Sequence, residues 1–206
     1  MHPSLFPLLG FLVGSIPFGF LIAKSRGIDI RQHGSGNIGA TNVLRVVGKK
    51  YGITCFVLDF LKGLLPAVAA YQGIDGDLPL AGTWQVATGL ATILGHNYTP
   101  WLGFKGGKGI ATSAGVLLAL LPIELGVGLL AWVALFYTTR YVSVASIGAA
   151  VAIPIAVLAQ SLMSGEWRPA HLVFALLVAF LATWRHRSNI KNLREGTEHK
   201  FVKKGG

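Results

Sequence analysis

Cys55 is the one cysteine in 206 residues, so no intramolecular disulfide can brace the chain. It stands inside an apolar stretch, where packing accounts for it. Charge is scarce as well. Asp, Glu, Lys and Arg make up 13% of the residues, about half the share of an ordinary soluble domain, and mean hydropathy is +0.59. So few charges cannot clothe a soluble globule of this size. Acidic residues are rarer still, 8 against 18 Lys and Arg. Residues 1–4 hold no Lys or Arg, whereas a cleaved secretory leader begins with a positive region. No G-x-S-x-G elbow for a serine nucleophile is present, and no cluster with metal-ligand spacing.

What the sequence has is long apolar runs. Leu5 to Ala23 is 19 residues without a charge, about enough to span a hydrocarbon core as a helix. More such runs follow, and a polytopic all-α membrane protein is expected. Its helices fall at about 4–24, 51–72, 79–97, 109–121, 123–139, 141–162 and 170–185. Residues 109–139 are too long for one ordinary span, and Pro122 inside them would break a helix, so two helices are expected there.

The positive-inside rule supports seven spans with the N-terminus outside and the C-terminus in the cytoplasm. That arrangement puts 16 of the 18 Lys and Arg on the cytoplasmic side, leaving out only Lys62 and Arg168. Asp75, Asp77, Glu124 and Glu166 then fall outside. The net charge of +10 is thus mostly topological, and a basic cytoplasmic rim suits anionic lipid better than nucleic acid. No nucleic-acid partner is expected.

Four polar clusters share the cytoplasmic side. The first is HGSGNIGATNVLR, His33 to Arg45. Gly34, Gly36 and Gly39 have the G-x-G-x-x-G spacing of a dinucleotide site, and Asp59 follows 20 residues later. A true fingerprint joins a buried strand to a helix, but here a membrane helix precedes it and Asp59 lies within the next one. Asp59 is expected to pair with Lys62, one turn on. The glycines still let the backbone approach an anion closely. Ser35 or Asn37 can cap a short helix over Ile38 to Val47, whose N-terminus suits phosphate, with Thr41 and Arg45 on one face.

The second cluster is GHNYTPWLGFKGGKGIATSAG, Gly95 to Gly115. Gly103, Gly106, Gly107 and Gly109 surround Lys105 and Lys108 just before a helix, a good anion site. It is no P-loop, because Gly109 stands where Ser or Thr would bind magnesium. His96 and Asn97 close the preceding helix and are placed to orient the loop. The third cluster is the tail HRSNIKNLREGTEHK, in which His186 and Asn189 share a helical face before Glu195 to Glu198 end the helix. The fourth is the start of helix 6, with Ser143 and Ser146 on one face. Two glycine-rich basic loops point to phosphorylated ligands.

These three long motifs, in this order and with the DxxKG of Asp59, Lys62 and Gly63, resemble those of the bacterial PlsY family of acyl-phosphate:glycerol-3-phosphate acyltransferases. The likeness covers nearly the whole chain and implies a single membrane acyltransferase domain over 1–206. It implies acyl transfer from acyl phosphate to the 1-hydroxyl of glycerol 3-phosphate, giving lysophosphatidate and phosphate, as the first acylation of bacterial phospholipid synthesis. It implies no cofactor, no metal and no required protein partner. The location implied is the bacterial inner membrane, with the site facing the cytoplasm. Other glycerophosphate acyltransferases use H-x-x-x-x-D, and none of the six histidines here has Asp five residues later.

By motif match, Ser35, Arg45, His186 and Asn189 are the expected catalytic residues. Gly36, Asn37, Thr41, Lys105, Gly106, Gly107, Lys108, Gly109 and Ser143 are expected to bind substrate phosphate, with Glu198 and His96 in support. For the proton acceptor, His186 and a substrate phosphate oxygen both stand open. A transporter for a phosphorylated solute is the competing reading, because helix N-termini aimed at anions also serve transport. A pure lipid-binding protein comes third.

Overall fold

In the computed structural model, residues 2–78 and 80–201 are described, and among them the chain forms ten α-helices and no strand. They group into two compact units, Met1–Leu120 and Leu121–Gly206. The first unit contains α1 (Leu5–Gly14), α2 (Phe18–Lys24), α3 (Ala40–Val46), α4 (Lys49–Gly73), α5 (Ala81–Asn97) and α6 (Ile110–Leu120). The second contains α7 (Pro122–Thr139), α8 (Val142–Ser164), α9 (Pro169–Arg185) and α10 (Arg187–Arg194).

Most expected boundaries hold within two residues. Pro122 opens α7 at its first turn, where its missing N–H costs nothing. Pro79, the expected first residue of the third helix, lies outside the described residues, as do Lys203 and Lys204 of the cytoplasmic charge count. The first expected helix is two. Pro17 has no N–H to continue the ladder, and the chain breaks between Gly14 and Phe18. Ser15 turns its hydroxyl back to the Leu12 carbonyl at 2.7 Å.

Among the described residues, four stretches are long and apolar enough to cross a membrane: Leu5–Lys24, Lys49–Gly73, Pro122–Thr139 and Val142–Ser164. A fifth counts if α9 and α10, bent by 53° at His186, form one span. At about 1.5 Å of rise per residue, the 11 residues of α6 reach about 16 Å, roughly half of a 30 Å hydrocarbon core. α5 has 17 residues and buries two threonines, each with its hydroxyl on the carbonyl one turn back: Thr88 to Trp84 and Thr92 to Thr88, both at 2.8 Å. Such bonds let a helix carry hydroxyls away from water.

Packing in the first unit uses small residues. On α4, a Cβ at Gly63 would collide with the Thr112 carbonyl of α6. On α6, a Cβ at Gly115 would collide with the Phe60 carbonyl of α4. The two backbones therefore touch reciprocally, as membrane helices do where bulk apolarity gives no drive to associate. In the second unit, Arg168, which the charge count left over, has a partner. Its guanidinium donates to buried Glu124 at 2.6 Å and to Gln160 at 3.3 Å, tying the start of α9 to α7 and α8.

Candidate active site

The first glycine motif folds as a turn closing on α3. Gly34 and Gly36 take φ of 59° and 67°, which a side chain resists. Ser35 is exposed at the tip, and Arg45 is exposed in the last turn of α3, on the Thr41 face. The expected cap is corrected. Gly39 is the N-cap, and Asn37 instead accepts the Gly39 N–H at 2.8 Å, because a side chain two residues back reaches that amide first.

Asn42 holds the turn together, and sequence reasoning passed it over. It is 2% exposed. Its amide donates to the His33 and Asn37 carbonyls at 3.0 and 2.9 Å, and its Oδ1 accepts the Ser35 N–H at 3.0 Å. One side chain thus fixes both ends of the glycine turn. The signal was there: asparagine is a poor residue inside a helix unless its amide has work to do. Upstream, Arg31 forks onto Asp29 at 2.9 and 2.7 Å, and this exposed pair lowers the Asp29 carboxyl to about 2.

The second glycine motif is held mainly by backbone. Gly106 N–H donates to the Asn97 carbonyl at 3.2 Å and Gly107 N–H to the His96 carbonyl at 3.1 Å. These are the last two residues of α5, so the loop lies against the helix end. A Cβ on Gly107 would strike Nε2 of the His96 ring. Further out, Gly103 and Phe104 both take φ of 61°, with Lys105 exposed beside them. The Thr99 hydroxyl and the Trp101 indole anchor the loop to the α1–α2 break, donating to the Ser15 carbonyl at 2.6 Å and the Ser15 hydroxyl at 2.9 Å. Gly109, at φ 80°, leads into α6.

In the second unit, three expected residues meet around one atom. Oε1 of Glu198 accepts the Ser143 hydroxyl at 2.8 Å and the Asn189 amide at 2.7 Å. The tail lies across the end of the α7–α8 hairpin, where Phe201 N–H donates to the Arg140 carbonyl at 2.9 Å and its ring meets Phe136 edge-on. His186 sits at the α9–α10 bend, 3% exposed, with Nδ1 at 2.7 Å from the Ala182 carbonyl. A carbonyl only accepts, so Nδ1 carries the proton of this hydrogen bond. A backbone carbonyl thus orients the His186 ring.

Residues 4–196 match the family model described as glycerol-3-phosphate acyltransferase. The chain belongs to that family. Similar glycerol-3-phosphate acyltransferases come from Geobacter sulfurreducens, 46% identical over 94% of both chains, and from Aquifex aeolicus, 44% identical over 94% of this chain and 96% of that one. Among solved structures, the chain is similar to PlsY, an integral membrane glycerol 3-phosphate acyltransferase. The glycerol 3-phosphate form aligns with a TM-score of 0.88 at 42% identity, covering 98% of this chain and 96% of that one. The lysophosphatidic acid form aligns with a TM-score of 0.85 at 41% identity, with the same coverage. This glycerol-3-phosphate acyltransferase is thus an enzyme of phospholipid synthesis set in a membrane, which removes the transporter and lipid-binding readings.

Proposed function

We propose that the enzyme moves the acyl group of an acyl phosphate to the 1-hydroxyl of glycerol 3-phosphate. The products are 1-acylglycerol 3-phosphate (lysophosphatidate) and inorganic phosphate. Two separate glycine-rich basic loops, each with backbone and cations suited to phosphate, carry this reading. A CoA thioester donor would bring no phosphate to the reacting carbonyl.

The hydroxyl oxygen attacks the acyl carbon, the new ester bond forms, and the carbonyl–phosphate bond breaks. Phosphate is a good leaving group, so the protein has to position, neutralise charge and accept one proton. In the first unit, Arg45, Lys105 and Lys108 supply cations, and the Gly36–Asn37 and Gly106–Gly109 backbones supply close approach. Ser35 and Thr41 supply hydroxyls for the carbonyl oxygen. In the second, Asn189 and Ser143 are polar ligands braced by Glu198, and His186 binds substrate through Nε2. Ser143 has one hydroxyl proton and gives it to Glu198, so contact with phosphate through Ser143 exchanges that bond. The departing phosphate takes the hydroxyl proton. If His186→Ala binds glycerol 3-phosphate normally yet loses turnover, that assignment moves to His186.

The topology belongs to the same reading: seven spans, N-terminus outside, C-terminus and site cytoplasmic, in the bacterial inner membrane. α6 completes its crossing only with the Gly103–Gly109 loop, so that loop lies at membrane depth, shielded by protein or water. Cysteines introduced as Ser4→Cys and Ser188→Cys in a Cys55→Ala background place the ends. Labelling of Ser188→Cys from outside intact cells overturns the topology.

The deciding assay uses purified enzyme in detergent with radiolabelled glycerol 3-phosphate and either palmitoyl phosphate or palmitoyl-CoA. The expected result is lysophosphatidate from the phosphate donor alone, lost in Arg45→Ala. Product from the CoA donor alone refutes the donor assignment.

A further inference from the structure

α4 carries a buried polar cluster that the proposed reaction leaves unused. Asp59 and Lys62 are 2% and 3% exposed, and Lys62 Nζ lies 2.8 Å from Asp59 Oδ1. The ammonium also donates to the Ile16 carbonyl at 2.6 Å, inside the α1–α2 break, and stands 5.5 Å from the Phe18 ring. Cys55 Sγ donates to the other carboxylate oxygen at 3.6 Å. A buried ion pair gives up two solvation shells, and well-packed apolar residues of similar volume often match or exceed its stability. Stability alone therefore does not explain these charges. Their direction does more.

The same Asp59 Oδ1 that meets Lys62 also faces Nδ1 of His96, at 3.7 Å. His96 is 4% exposed and belongs to the last turn of α5. The opposite edge of its ring, Nε2, fills the space that a Cβ on Gly107 would occupy, and its carbonyl accepts the Gly107 N–H at 3.1 Å. One imidazole is thus wedged between a fixed carboxylate and the backbone of the lysine–glycine loop. Lys62 fixes the carboxylate in turn, through the Ile16 carbonyl. The chain of contacts runs from the helix break to the carboxylate, to the ring, to Gly107, next to Lys108.

We infer that Asp59 is a positioning residue for acyl transfer, acting through His96 to set where the Lys105–Lys108 backbone and its lysines stand. It rests on the reading of that loop as the cradle for a substrate phosphate. It does not place Asp59 against substrate.

The test is the double variant Asp59→Asn/Lys62→Met, which removes both charges at nearly constant volume and leaves neither one buried alone. Thermal midpoint in detergent, kcat and the KM for glycerol 3-phosphate and for palmitoyl phosphate are measured beside the parent enzyme, Lys105→Ala and Lys108→Ala. The double variant is expected to keep its midpoint within a few degrees while the KM that the lysine variants raise goes up about 10-fold and kcat changes less than about threefold, as for lost phosphate binding. Adding His96→Asn to it is expected to change KM little further, because residues in one chain of contacts are not additive. A parental KM in the double variant, beside a raised KM in Lys105→Ala, overturns the inference and leaves the phosphate reading intact. Parental KM values in both lysine variants overturn the phosphate reading and the inference with it. If the double variant does not fold, Asp59→Glu carries the same expectation: its longer arm keeps the charge for Lys62 but moves it against His96.

Discussion

The lysine–glycine loop of the first unit and the polar cluster of the second are held in opposite ways. In the first, the Gly106–Gly107 backbone is fixed by the carbonyls of Asn97 and His96, and the Gly34–Gly36 turn by the single amide of Asn42. In the second, Ser143 and Asn189 are fixed by one carboxylate oxygen of a tail residue, Glu198. A loop held by its own backbone tolerates side-chain truncation but not an added methyl. A cluster held by one side chain tolerates additions and fails on truncation. The lysine–glycine loop and the Glu198 cluster should therefore respond to opposite kinds of substitution, and the turn held by Asn42 should respond as the Glu198 cluster does.

The sharpest way to break that contrast is Gly107→Ala. Its Cβ meets the His96 ring, so the loop must shift, and kcat/KM is expected to fall about 100-fold, as for a misplacement near 1 Å. Steady-state assay of the folded variant checks it; a parental kcat/KM would mean the loop is not rigid. Asn42→Ala comes next. It leaves the His33 and Asn37 carbonyls and the Ser35 N–H without their partner, and about 2–3 kcal/mol of stability is expected to go with them, read as a lowered thermal midpoint. In the second unit, Glu198→Ala is expected to lose about tenfold in turnover, while Glu198→Gln, which keeps an oxygen able to accept both bonds, loses less. Equal losses would show that the charge matters and the geometry does not.

The smallest effect concerns Asp29. Its carboxyl is lowered from 3.8 to about 2 by the Arg31 hydrogen bonds. A depressed folded-state value stabilises above the unfolded value and is lost as pH falls, here between about 4 and 2. The pair is exposed, so Asp29→Asn is expected to leave the midpoint at neutral pH unchanged within error. NMR titration of the Asp29 carboxyl reads the shift directly.

Much of this was legible in the sequence, for identifiable reasons. Helix limits followed from apolar runs and, at Pro122, from a run too long for one span; proline alone is no guide, since Pro66 and Pro154 sit inside α4 and α8. The Asp59–Lys62 pair followed from spacing on one helix face, and both glycine loops from composition. Three features were not legible. The break at Pro17 lies in an unbroken apolar run, where nothing marks its partner Lys62, 46 residues away. The 53° bend at His186 leaves no mark in residue types. Asn42 works on backbone carbonyls, which every residue has, so its partners could not be read from side chains.

The tail has a consequence for biosynthesis. Chains are made from the N-terminus, and helices settle as they emerge. Ser143 and Asn189 wait for Glu198, and Arg140 waits for Phe201. The helices of the second unit can thus be in place while its polar cluster is still unmade. A chain ended before Glu198 would hold these helices in the membrane with Ser143 and Asn189 unbraced, and full activity would begin only once Glu198 and Phe201 had been added.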